Sequence, residues 1–133
     1  MIPKFRAWLP DPDVKKMLRV KALIFENDKT RCMCGYAYDF YLEDEDAILM
    51  QSTGLKDKNG KEIFEGDIIR YNIDVVDIKR HPTLGFYTVL DGREGFFGDG
   101  MSIDDFEEGA KEFSKTAEII GNIYENPELL EDN

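Results

Sequence analysis

Cys32, Cys34 and His81 are the residues of this 133-residue chain whose types best suit metal binding or nucleophilic chemistry. On one strand the two thiols would point the same way, with Cα atoms near the long limit for a disulfide. A closed zinc site needs four ligands, and His81 beside a proline is a poor catalytic base. We therefore predict two small residues on a buried strand face, an exposed histidine in a basic loop over 79–82, and a reducing, cytoplasmic location.

Carboxylates are the other candidate chemical groups, since the chain carries 28 Asp and Glu residues. A hydrolase or nuclease would need them to converge in a cleft, and Asp67 and Asp99 are the candidate centres. No Glu-x-Lys pair or glycine-rich phosphate loop accompanies them, and the acidic run 43–46 lacks the spacing of a calcium loop. The sequence therefore predicts a protein that is not an enzyme, with no catalytic, cofactor-binding or metal-binding residues and no cofactor.

Charge is unevenly distributed along the chain, whose net charge is −11. Residues 1–35 carry eight Lys and Arg against four Asp and Glu, whereas residues 36–133 carry nine against 24. A negative surface repels phosphate backbones, so nucleic-acid binding is disfavoured. The acidic surface either keeps the protein soluble or competes with nucleic acid for a basic partner.

The chain has neither a membrane span nor a secretion signal in its sequence. No apolar run approaches the roughly 20 residues that a spanning helix needs. The N-terminal Met-Ile-Pro-Lys-Phe-Arg lacks the central apolar region of a signal peptide. We predict a cytoplasmic protein without membrane contact, folded as a single domain over residues 1–133.

Residues 50–71 contain two turn signals between short apolar runs, which is typical of consecutive antiparallel strands. A two-residue loop at Asn59-Gly60 would place Asp57 opposite Glu62, two like charges. A type I turn over 57–60 with a glycine bulge instead pairs Asp57 with Lys61, which we predict. A second tight reversal follows at 65–67.

Alternation of apolar and polar residues predicts the remaining strands. The first is an edge strand, because Pro3 near its start cannot donate to a central ladder. Within 31–42, aromatic residues recur on one strand face. This stripe could belong to the core or could stack nucleic-acid bases, and the acidic residues that follow it favour the core. The predicted strands, besides those of the central hairpin, are 2–8, 17–25, 31–42, 47–50, 68–78, 86–90, 95–97 and 118–124; the loops lie at 9–13, 27–29 and 91–94, and the stripe is Cys32, Cys34, Tyr36, Tyr38 and Phe40.

One helix is predicted over 103–114. Ser102 can cap its first turn, where acidic residues also interact favourably with the helix dipole. Residues 126–130 form a C-terminal helical turn, with Pro127 in the first helical position.

Three segments together resemble the YopX family of small phage and prophage proteins: residues 5–8 with 16–17, residues 49–69, and residues 118–130. The resemblance implies a β-rich fold similar to small SH3-type barrels, and it brings no established activity or catalytic residues. We therefore expect a mainly β fold, a small SH3-like partly open barrel with one short helix and a C-terminal helical turn; the alternative is α+β.

Function is expected to lie in binding. The leading hypothesis is a phage- or prophage-encoded, non-catalytic protein-interaction module whose partner is an unknown host or phage protein. The alternative is an acidic nucleic-acid mimic that inhibits a host DNA-binding protein. Unpaired edge strands also allow a homo-oligomer.

Overall fold

The computed structural model describes residues 4–35, 38–42, 47–97 and 102–131. They belong to two compact units, Met1–Ser52 and Thr53–Asn133. Strands predominate among the described residues, with a smaller helical part, and the sheets are antiparallel and curled. The predicted mainly β class is confirmed, while the single domain over 1–133 stays a prediction.

In its described part, the first unit contains five strands and the beginning of a sixth, which continues into the second unit. They are β1 (Phe5–Leu9), β2 (Lys16–Arg19), β3 (Ala22–Glu26), β4 (Lys29–Cys34), β5 (Tyr38–Tyr41) and β6 (Ile48–Lys56). The second unit contains β7 (Glu62–Phe64), β8 (Asp67–Tyr71), β9 (Asp74–Asp77), β10 (Lys79–His81), β11 (Gly85–Leu90), β12 (Arg93–Phe96), helix α1 (Ile103–Thr116), β13 (Glu118–Asn122) and a 3-10 helix at Pro127–Leu130.

β1 occupies a central position, pairing on one side with β2 and on the other with β6. The prediction of an edge strand is therefore wrong. The strand begins at Phe5, after the proline, so every residue in it can donate its backbone N–H. Pro3 itself lies outside the described residues.

The predicted strand 17–25 is wrong as a single element, because the chain bends in its middle and joins two sheets. The Val20 N–H donates to the carbonyl of Phe5 at 3.1 Å, whereas the Lys21 N–H donates to that of Met33 at 2.7 Å. β2 therefore pairs with β1, and β3 pairs with β4.

The predicted strand 31–42 is also wrong as a single element, since it is the hairpin of β4 and β5. Gly35 follows β4 with φ 75°, a conformation that glycine adopts without strain. Cys32 pairs with Phe40 across the hairpin, so both stay on one face despite the reversal. Tyr36 and the acidic run 43–46 lie outside the described residues.

The core of the first unit surrounds the two cysteines, as predicted. Cys32 and Cys34 are free and buried, with their sulfurs 3.8 Å apart. They form a cluster with buried Ala7, against which partly buried side chains pack: Leu18, Val20, Leu23, Phe40 and Leu42.

In the second unit, the turn at 57–60 has the predicted type I geometry with a glycine bulge. The Gly60 N–H donates to the carbonyl of Asp57 at 3.0 Å, and Gly60 has φ 81°. The Asp57 N–H then donates to the carbonyl of Lys61 at 2.8 Å, which confirms the predicted pair.

The Asp57 carboxylate joins this turn to a distant strand. Its Oδ1 accepts the N–H groups of Asn59 and Lys61, both at 2.9 Å, and its Oδ2 accepts the N–H of Ile119 in β13 at 3.1 Å. Asp57 is only 3% exposed, so these donors replace lost water. Burial alone would raise its pKa, but the hydrogen bonds from Ile119, Lys61 and Asn59, with the Lys61 charge, hold the pKa below its ordinary value of 3.8.

A tight hairpin replaces the predicted strand 68–78. β8 and β9 pair antiparallel across a turn at Asn72 and Ile73, where Asn72 has φ 58°. Ile73, predicted as a strand residue, is 94% exposed at the tip. The expected reversal at 65–67 is confirmed: the Phe64 N–H donates to Asp67 Oδ2 at 2.8 Å.

Several other boundaries differ from prediction. Residues 79–81 form β10, paired with β11, instead of a loop. β11 and β12 are joined by a two-residue turn because Leu90 pairs with Arg93, so the turn is shorter than the predicted 91–94. β6 extends well past the predicted 47–50, and β13 ends at Asn122, before the predicted limit of 124.

Helix α1 confirms the predicted helix and completes the core of the second unit. The Asp105 N–H donates to Ser102 Oγ at 3.2 Å, as expected of an N-cap. Phe113 stacks on Tyr71 at 5.4 Å between ring centroids and lies 5.6 Å from Phe97. The two phenylalanine rings pack against a buried cluster of Ile63, Ile69, Val76 and Ile78.

The C-terminal helical turn is confirmed, with Pro127 at its start. Asn126 makes no side-chain cap to it; its Oδ1 instead accepts the Asn122 N–H at 3.3 Å. A Cβ added at Gly121 would lie 2.6 Å from that Oδ1, so glycine permits the close approach.

The thiols should react slowly in the folded protein. Burial, then the charge and hydrogen bond of Cys34 and the charge of Asp39, raise the pKa of Cys32 from 9.0 to about 12, and burial also raises the pKa of Cys34. Because the thiolate is the nucleophile, we expect Cys32 in the native protein to react at least about a thousandfold more slowly than in the unfolded chain. Iodoacetamide labelling at pH 8, with and without guanidinium, measures this; comparable rates would contradict it.

Asp57→Asn should destabilise the protein. The side-chain NH2 of asparagine would face a backbone N–H group, and two donors cannot form a hydrogen bond with each other. We expect the free energy of unfolding at pH 7 to fall by about 1–3 kcal/mol. The native pKa is depressed, so this stability is present above the ordinary pKa of 3.8 and is lost as pH falls through the native pKa. The difference between wild type and variant should therefore shrink below about pH 4.

Urea denaturation at several pH values measures both effects. Asp91→Asn is the matched control, since Asp91 is exposed in a hairpin turn at φ 54°, which asparagine tolerates. An equal loss of stability in both variants would contradict the role of Asp57.

Candidate binding grooves

A groove in the second unit lies between the end of β6 and one face of α1. Its volume is about 460 Å³. β6 provides Gly54, Leu55 and Lys56, and the helix provides Ala110, Lys111, Ser114 and Lys115. We call it the lysine-rimmed groove.

Helical periodicity explains the cations of this groove. Lys111 and Lys115 are four residues apart, so they project from the same face of α1. Lys115 lies 3.5 Å from Glu112, and both side chains are more than 70% exposed, so this ion pair contributes little to stability. Lys56 adds a third positive charge from the strand.

The surrounding unit has the opposite charge. Residues 53–133 carry nine Lys and Arg against 19 Asp and Glu. The groove therefore gathers three of the nine cations of this unit beside an apolar floor, which would suit an acidic amphipathic segment.

A second groove, in the first unit, follows the bend between β2 and β3. Its volume is about 380 Å³. Lys4, Arg19 and Lys21 supply positive charge, and the remaining lining is apolar: Phe5, Val20, Ala22 and Leu23. We call it the basic groove.

The carboxylates considered for hydrolysis have a different role or lie outside the described residues. Asp67 is 2% exposed and accepts a backbone N–H within its own turn, as shown above. Asp99 lies outside the described residues. In residues 4–35, 38–42, 47–97 and 102–131, no group of three or more His, Cys, Asp or Glu could hold a metal ion.

His81 helps to shape a turn. Its Nδ1 accepts the N–H groups of Thr83 and Leu84, each at 3.1 Å. The imidazole also lies edge-on to Phe96, with ring centroids 6.2 Å apart. Its ring nitrogen therefore stabilises the β10–β11 connection.

Sequence reasoning did not identify either groove. The available signals were the four-residue spacing of Lys111 and Lys115 and the Arg19-x-Lys21 pattern at the bend. Neither pattern differs from ordinary surface charge in the sequence, and only the fold shows that apolar residues lie beside these cations. Among the described residues, no helix is long and apolar enough to cross a membrane.

The family model of the YopX protein matches residues 4–131. The crystal structure of protein EF1440 from Enterococcus faecalis is similar to this chain, with a TM-score of 0.63 and 30% sequence identity over 98% of this chain and 99% of that chain. No curated protein matches. The family match includes the Asp57 turn, the bend between β2 and β3, and the C-terminal 3-10 helix. The chain belongs to the YopX family.

Proposed function

We propose that this chain is a non-catalytic protein-interaction module, encoded by a phage or prophage and acting in the cytoplasm. Its partner is a host or phage protein that presents an acidic amphipathic segment to the lysine-rimmed groove. The observation that carries the proposal is the combination of an apolar floor with three lysines in a strongly acidic unit.

Both components of the groove favour such a segment. Leu55 and Ala110 give it an apolar floor, and Leu55 also packs against the buried core, which restrains it. Because the floor is restrained, little order needs to be gained on binding. The lysines add charge complementarity, which chiefly determines partner choice and association rate.

The roles of the buried polar groups support a non-catalytic protein. Asp57 and Asp67 are at most 3% exposed, and each accepts backbone N–H groups in a turn. His81 has the same kind of role. Groups that a hydrolase would use are thus engaged in holding the backbone.

Phage origin and location rest on two further observations. The YopX family match covers nearly the whole chain, and the resemblance found in the sequence implies a family of small phage and prophage proteins. The two buried cysteines are free, which suits a reducing compartment. Genes for phage replication, packaging or lysis beside this gene would support the origin, and a purely chromosomal neighbourhood would count against it.

A nucleic-acid mimic is the second candidate because α1 presents five exposed acidic side chains: Asp104, Asp105, Glu107, Glu108 and Glu112. Such a surface would bind a basic host protein in competition with nucleic acid. This binding would weaken steeply with salt.

Two model peptides distinguish the candidates by fluorescence anisotropy. Each has about 18 residues with leucine at helical spacing, and its polar positions are all Glu or all Lys. A net charge of −11 favours the Lys peptide, so tighter binding of the Glu peptide requires a cationic groove, which the variants below then locate. Tighter binding of the Lys peptide would contradict the groove and support the mimic.

Variants locate the binding. Lys111→Glu should weaken the Glu peptide by about tenfold, and Ser114→Trp should block the groove with a bulky ring. Arg93→Glu is the matched control, because Arg93 is an exposed cation of β12 outside the groove, and it should change affinity less than about twofold. Circular dichroism checks folding; equal effects of Lys111→Glu and Arg93→Glu would overturn the site.

A further inference from the structure

The basic groove of the first unit has a chemistry that the proposed function does not use. Three of its seven lining residues are cations, Lys4, Arg19 and Lys21, and none is acidic.

The bend between β2 and β3 creates the groove. The Val20 N–H donates to Phe5 in β1, whereas the Lys21 N–H donates to Met33 in β4. The backbone therefore bends between them, and a cleft lies beside Phe5. Arg19 and Lys21 lie on either side of Val20 along the bend. Arg19 and Lys21 therefore line one groove at this bend together with Lys4.

The floor is apolar and supported by the core. Val20 and Leu23 both line the groove and pack against the cluster that contains Cys32 and Cys34. Phe5 is half-buried and contributes an aromatic ring to the lining. A ligand that combines an anionic group with a planar ring would contact both the cations and the ring.

We propose that the basic groove binds a small phosphate-bearing ligand with a planar ring, of the nucleotide type. The phosphate contacts Arg19 and Lys21, and the ring lies against Phe5 and the apolar floor. The volume of about 380 Å³ is in the range of small-molecule sites. This site lies in the other unit from the lysine-rimmed groove and does not depend on the peptide proposal.

Titration of the full-length, isotope-labelled protein by NMR tests the site, with AMP, inorganic phosphate and adenosine as probes. AMP should bind most tightly, since it alone uses both halves of the groove, and should shift the amides of Lys4, Phe5 and residues 19–23. Adenosine binding as tightly as AMP, or shifts centred elsewhere, would overturn the proposal.

Three variants separate the two halves of the site. Arg19→Glu should weaken AMP and phosphate by at least about tenfold, whereas Arg93→Glu, with the same change in net charge, should alter either by less than about twofold. Phe5→Leu should weaken AMP and leave phosphate unchanged. Equal losses in Arg19→Glu and Arg93→Glu would show general electrostatics and refute the site.

A competition experiment with the Glu peptide tests whether the basic groove instead binds an acidic protein segment. The peptide should not displace AMP from the amides of 19–23. Displacement of AMP by a lower concentration of peptide would overturn the proposal and assign the groove to a protein partner. In that case the basic residues serve protein binding.

Discussion

The Asp57 carboxylate is the interaction on which the second unit most depends. A buried carboxylate requires donors, and here the donors are backbone N–H groups from two parts of the chain that are 62 residues apart. The bonds to Asn59 and Lys61 shape the turn, and the bond to Ile119 attaches that turn to β13. One side chain thus couples a local reversal to a long-range strand position, and its negative charge is the form that all three bonds require.

Local chemistry explains what could be predicted from the sequence. Two features were enough to identify the bulged turn and the pair of Asp57 with Lys61. Asp57 and Gly60 occupy the first and fourth positions of a turn, and the alternative register would pair the like charges of Asp57 and Glu62. Ser102 and Pro127 similarly mark helix starts. The bond from Ile119 was not predictable, because nothing near Asp57 in sequence indicates which distant strand supplies a donor.

Hairpins were mistaken for single strands because alternation survives a tight reversal. Residues paired across an antiparallel ladder share a face, so Cys32 and Phe40 continue one apolar stripe although the chain turns between them. The informative residues were Gly35 and Asn72, both of which have positive φ. The grooves were missed for a related reason: Lys56 and Lys111 lie 55 residues apart, and only the fold brings them to one site.

Net charge and local charge lead to different conclusions about binding. The net charge of −11 determines the electrostatic field far from the protein, and this field repels an approaching phosphate. At physiological salt, screening limits the range over which exposed charges interact to about 8 Å. A ligand bound in a groove therefore interacts mainly with the cations that line it. Arg19 and Lys21 in one unit, and Lys111 and Lys115 in the other, lie within that range of their own grooves. A net charge of −11 is therefore compatible with anionic ligands in both proposed grooves, while the remaining surface would repel anions that do not fit them.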